Sequence, residues 1–290
     1  LFSKILKPRG YVTFYKSKLK HIVLPYMFFT VVLTLIKINF SQILNIQEGF
    51  QLVLSKVWIN FIFGKANFAL WYIPVLIFLY LVTPLLEFLQ RKNSLTKALF
   101  FLIIIAPLLI SRIQNLTEYR LSFETMIYFT GAYALGMFLG VDLNIKLSWL
   151  NKYKYVFGLM GLISSALLLY FYIYDIDYFG IVSLKETVFY LQKISFAIVF
   201  ILLFKTLEDK QPKWLSPIAS DSFSIYFIHG SILYAISPWF IFLLKANTMN
   251  PWNVVLGAFM LFSIVLLICI AMVALSKKLF GKYSRMIVGA

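Results

Sequence analysis

The stretch WNVVLGAFMLFSIVLLICIAMVAL, Trp252–Leu275, contains no charged side chain. As an α-helix rising 1.5 Å per residue it covers about 36 Å, enough to cross a hydrocarbon core of about 30 Å. Immediately upstream lies SFSIYFIHGSILYAISPWFIFLL, Ser222–Leu244, also long enough to span and carrying His229, one of two histidines in the chain. The two runs together read as adjacent membrane helices.

The whole chain agrees with them. Of its 290 residues 61% are hydrophobic, 19% aromatic and 13% charged, with mean hydropathy +0.86. A soluble domain needs roughly 25% charged residues to face water. The composition therefore indicates an all-α polytopic membrane bundle. Apolar runs of span length place eight transmembrane helices at about His21–Phe40, Phe68–Leu89, Leu95–Ile110, Phe123–Gly140, Tyr153–Tyr174, Thr187–Leu207, Ser222–Leu244 and Trp252–Leu275. No repeat and no long linker divides the chain, which reads as one domain, 1–290. The single cysteine, Cys269, excludes an internal disulfide.

Net charge is +16, yet the lysines flank spans and form no aromatic-interleaved patch, so nucleic acid is excluded as a partner. Their distribution orients the bundle instead. With the N-terminus inside, inner segments hold nineteen Lys and Arg and outer segments seven, with Lys193 inside a span. Cytoplasmic loops are enriched in these residues, so both ends of the chain are expected in the cytoplasm. The outer segment FQLVLSKVWINFIF, Phe50–Phe63, carries polar residues near helical spacing and suits a helix lying in the membrane interface.

Soluble catalytic motifs are absent: no nucleophile elbow, phosphate-binding loop, dinucleotide fingerprint or Cys-x-x-Cys. The histidines, 21 and 229, lack metal-ligand spacing, so no metal is expected. Ionisable groups at membrane depth are the informative ones. His229 has two readings, a functional group about 10 Å from the inner boundary, or a neutral imidazole bonded to a neighbouring helix. Lys193 reads as structural, and Ala132, Gly136 and Gly140 as a small-residue packing stripe. Lys16, Lys18, Lys20 and His21 form a cationic collar at the inner edge of the first span. It suits either simple topology with anionic membrane lipid, or docking of a phosphorylated cytoplasmic donor.

FYKSKLKHIVLPY, ALWYIPVLIFLYLVTPLL, YFTGAYALGMFLG, FSIYFIHGSIL and GKYSRMIVG, taken in order, resemble the acyltransferase-3 family of integral-membrane acyltransferases. The resemblance covers nearly the whole chain and implies ten transmembrane helices with cytoplasmic ends. Two of these would precede Leu1, together with the family's catalytic base, a histidine on its first helix. The chain is thus expected to be N-terminally truncated and, alone, inactive. The family's Arg-x-x-Arg before an Ile-x-x-Pro-Tyr-like segment falls on Lys18 and His21. Its Trp-Phe pair falls on Trp71 and Tyr72, and its histidine in an IYLIHP-like segment on His229, followed by Gly230 in place of proline. These five residues are expected to bind the acyl donor or line its pocket. The implied activity moves an acyl group, acetyl- or succinyl-type, from acyl-CoA, with acetyl-CoA the expected donor, to a carbohydrate hydroxyl on a cell-envelope or exported polysaccharide. The alternatives are an exporter or flippase component for polysaccharide or lipid-linked sugar, and a catalytically silent assembly partner.

Overall fold

The computed structural model describes residues 2–38, 46–110, 122–179, 182–210, 212, 215–246 and 251–289 and is 88% helical. Arg112, Arg120 and Lys213, part of the charge census above, lie outside the described residues. The helices are α1 (Phe2–Lys18), α2 (Leu24–Lys37), α3 (Ile46–Phe63), α4 (Tyr72–Arg91), α5 (Ser94–Ile105), α6 (Phe123–Gly140) and α7 (Leu143–Lys152). They continue with α8 (Lys154–Ile173), α9 (Leu184–Thr206), α10 (Leu215–Ser220), α11 (Ser222–Ala246), α12 (Pro251–Phe280) and α13 (Ser284–Ile287). A pair of two-residue antiparallel strands, Tyr178–Phe179 with Val182–Ser183, is the small exception among the described residues.

Six helical segments of the described residues are long and apolar enough to cross a membrane, and a seventh if α6 and α7 count as one span bent by 104°. The eighth expected span, Leu95–Ile110, is shorter. Helix α5 ends at Ile105, where Pro107 diverts the chain into a single 3₁₀ turn, because proline has no N–H for the helical ladder. The outward-facing rows of α12 leave Val255, Phe259, Phe262 and Leu267 largely exposed, a surface that lipid, not water, would solvate.

The chain forms two compact units. The first comprises Leu1–Val12 and Val75–Gln211. Its cores are Leu86, Phe100, Ala134 and Met137, and separately Leu147, Leu150, Ile198 and Leu202. On α6 the expected small-residue stripe is not the packed one: Ala132 and Gly136 are exposed, while Gly131 and Ala134 are buried. A Cβ on Gly131 would lie 2.3 Å from Pro107 Cγ, so the turn after α5 selects which small residue packs. The carbonyls freed there are claimed by Thr187, bonded to Leu108 O at 2.6 Å, and Tyr190, to Ile104 O at 3.2 Å. Lys193 stands over the Phe189 ring at 3.9 Å and the Tyr128 ring at 5.6 Å, in keeping with a structural role.

The second unit comprises Thr13–Pro74 and Pro212–Ala290. Helices α11 and α12 close on Ile228, Ile232, Val265, Cys269 and Val273. Phe29 of α2 stacks on Phe227 of α11, centroids 5.2 Å apart. Helix α3 forms where the interfacial segment was expected, and it packs along α2. Tyr26 OH donates to Phe61 O at 2.5 Å, and Asn60 Nδ2 to Thr34 Oγ1 at 2.9 Å. Those side-chain bonds join Asn60 and the end of α3 to α2.

Candidate functional site

All five residues singled out from the sequence fall in the second unit. They gather into two groups, one at the junction of α1 and α2 and one along α11.

The first group is built by a proline. Pro25 has no N–H to return to the His21 carbonyl, and the helix widens ahead of it into a π-helical turn, Leu19–Val23. Leu24 N–H reaches Leu19 O, the five-residue spacing of that turn. Such turns recur where a helix serves a function. Lys18 closes α1, partly buried, its ammonium 5.3 Å from the Phe14 ring centroid. His21 sits within the turn, with Nδ1 buried and without a hydrogen-bond partner among the described residues. The C-terminal helix α13 packs against this same turn. Lys20 lies in the turn, Lys18 directly precedes it, and Arg285 lies on α13, which packs against it. Arg285 falls in GKYSRMIVG, one of the stretches that resemble the family, and is not among the five residues singled out from the sequence. Nothing in the primary structure connects it to a turn so far upstream.

The second group is built on the non-helical loop between α3 and α4, residues 64–71. Most of its backbone is buried, including Ala66, Asn67, Ala69 and Leu70. Irregular backbone inside a membrane bundle persists only if protein groups satisfy it. Here Lys37 Nζ donates to Ala66 O at 2.7 Å, the Tyr226 hydroxyl donates to Ala69 O, and Asn67 Nδ2 donates to Ser231 Oγ at 3.0 Å. Leu70 N–H returns to Asn67 O at 3.0 Å. Trp71 and Tyr72 end the loop and start α4, their rings edge-to-face at 5.9 Å. The loop approaches α11 at Gly230, where no side chain intervenes.

His229 lies beside that approach. Its Nδ1 is 2.7 Å from Tyr226 O and 3.2 Å from Ile225 O. Both partners are carbonyls and only accept, so in the neutral ring Nδ1 carries the hydrogen and Nε2 keeps a lone pair. The Tyr226 ring leans against the imidazole, centroids 5.6 Å apart. The helix thus sets both the tautomer and the ring's orientation.

His229 also lines a cavity of about 400 Å³ between α11 and α12. Ile225, His229 and Leu233 supply one wall at four-residue spacing, and Leu261, Val265 and Cys269 the other. The wall is almost wholly apolar, with the imidazole its one ring nitrogen donor or acceptor. This volume suits an acyl chain or a flexible apolar arm, and Nε2 can accept a hydrogen bond or a proton from whatever enters. Among the described residues no three His, Cys, Asp or Glu side chains gather as metal ligands.

A family profile described as an acyltransferase domain matches residues 1–274. No curated protein matches the chain, and no solved structure does.

Proposed function

Because the chain belongs to the acyltransferase-3 family and is a membrane acyltransferase, we propose that it transfers an acyl group from a cytoplasmic thioester, acyl-CoA, to a carbohydrate hydroxyl of the cell envelope or an exported polysaccharide. The observation that carries this reading is the His229 ring, held by Nδ1–H on Tyr226 O with its Nε2 lone pair free for a cavity of about 400 Å³.

In this reading the apolar cavity takes the acyl group and the arm that bears it, and His229 Nε2 accepts a hydrogen bond from that guest. The collar of Lys18, Lys20 and His21 receives the donor's phosphates. Trp71 and Tyr72, held beside α11 by the buried loop, border the path of the reacting groups. The hydroxyl oxygen attacks the thioester carbonyl, the C–S bond breaks, and the hydroxyl proton ends on the departing thiolate. An oxygen ester and free coenzyme A result, with no redox change. Membrane lipid surrounds the bundle, whose termini the reading places on the cytoplasmic side.

The test uses the purified full-length protein in proteoliposomes with acetyl-CoA and a polysaccharide acceptor, following thiol release and ester formation together. Equal amounts of both products support the reading. Passage of the glycan across the vesicle wall without thiol release replaces it with an exporter.

A further inference from the structure

From Ile225 to Leu233 the α11 wall of the cavity runs two helical turns, about 12 Å. An acetyl group is far smaller than the space. A carbon with its hydrogens takes about the volume of a water, about 30 Å³, so two carbons fill about 60 Å³. The cavity holds about 400 Å³.

The donor's arm does not fill the remainder. A coenzyme A arm carries two amides and a hydroxyl, and the wall offers them one imidazole nitrogen, His229 Nε2. Amides drawn into an apolar space without partners give up their bonds to water for nothing. Only the end of the arm, with the single N–H that Nε2 can accept, is satisfied here. The rest of the space belongs to hydrocarbon.

Charge narrows the guest further. Among the described residues lining the cavity none is Lys or Arg. A succinyl carboxylate placed there would be a buried anion without a counter-charge. A plain lipid tail would leave Nε2 without a donor, whereas a thioester brings the last amide N–H of its arm. Ala258 and Phe262 line the cavity and are also exposed on α12, so the far end of a chain meets lipid there and not water.

We propose that the donor carries an uncharged aliphatic acyl chain of about six to ten carbons, seated between Ile225–Leu233 of α11 and Ala258–Cys269 of α12, in place of an acetyl or succinyl group. An extended chain advances about 1.2 Å per bond, so the wall matches about ten bonds. Eight carbons fill about 240 Å³ and leave room for the thioester and one amide. The proposal rests on the acyl-CoA reading above and names the substrate class of that site.

The test measures kcat/KM of the full-length protein in proteoliposomes for acetyl-, succinyl- and octanoyl-CoA, with a polysaccharide acceptor and thiol release as readout. Wild type and Ala258→Leu are compared. That change adds three carbons, about 90 Å³, at an exposed position on the cavity's edge. A preference is a ratio within one sample, so it does not depend on how much of a variant folds. Wild type should favour octanoyl over both short donors by about tenfold or more, and Ala258→Leu should cut that preference about tenfold. Acetyl or succinyl used as well as octanoyl overturns the proposal and leaves the acyl-CoA reading intact. An octanoyl preference that Ala258→Leu does not change places the chain elsewhere and also overturns it. If none of the three donors releases thiol, the donor reading itself fails and the proposal falls with it.

Discussion

Gly230 passes so close to Ala69 that a Cβ at position 230 would lie 2.7 Å from the Ala69 methyl carbon and 2.9 Å from Asn67 Oδ1. The glycine after His229 is thus a contact surface for the buried loop of residues 64–71. Substituting Gly230→Ala forces the loop or the helix to shift, and overpacking of this kind costs about 1–3 kcal/mol. The expected outcome is a lower melting temperature in detergent, and Gly230→Val should lower it further. A melting temperature equal to wild type for both variants would show that the loop yields without cost.

The tautomer of His229 yields a second expectation. His229→Gln keeps a polar side chain but loses the imidazole pair of Nδ1–H donor and Nε2 acceptor, and His229→Ala loses both and enlarges the cavity. Losing a hydrogen bond to a bound guest costs about 1–3 kcal/mol, a fall of roughly 5- to 150-fold in kcat/KM. Both variants should insert and elute normally. Full thiol-release activity in His229→Ala would assign the imidazole to helix packing alone.

Tyr226 and Asn67 hold the same loop from two points, through Ala69 O and Ser231 Oγ. Tyr226→Phe leaves a buried carbonyl without its donor, and a loss of about 1–3 kcal/mol is expected. Asn67→Ala removes both the bond to Ser231 and the side-chain acceptor for Ala69 N–H, 3.3 Å away. Because the two residues brace one short loop, the double variant should depart from additivity by about 0.5 kcal/mol or more. Strict additivity of their unfolding free energies would mean that the two bonds act separately.

The expected orientation rests on charge, nineteen basic residues in segments read as inner against seven in segments read as outer. Cysteines placed at Asp175 and at Lys278 should respond oppositely to an impermeant thiol reagent on intact cells, with 175 labelled and 278 protected. Cys269 is fully buried in the α11–α12 core and adds little background. Labelling at 278 with protection at 175 would invert the topology.

How much of this was legible beforehand differs from residue to residue. His229 stood out because an ionisable ring in an apolar run is costly enough to need a reason. Its tautomer was not legible, since that depends on which nitrogen meets the carbonyls of Ile225 and Tyr226. Lys18 and His21 were visible as a collar, but Arg285 was not. The loop of residues 64–71 resembled an ordinary connection, for its burial comes from side chains on α2 and α11 far away in the chain.

The sequence alone determined that this chain is a helical membrane bundle, because backbone in hydrocarbon must bond within its own segment and long apolar runs then have one solution. Pro25 and Pro107 both fall inside expected spans, and what each does to its helix, a π-helical turn before one and a 3₁₀ turn at the other, came only from the structure. Only the tertiary structure decided that α3 runs along α2, that Gly230 receives the buried loop, and that α13 packs against the π-helical turn that holds His21. Each of these is a contact between segments distant along the chain. It is settled by which side chains fill one another's hydrogen bonds and volume, and hydropathy along a single strand of sequence carries no record of that pairing.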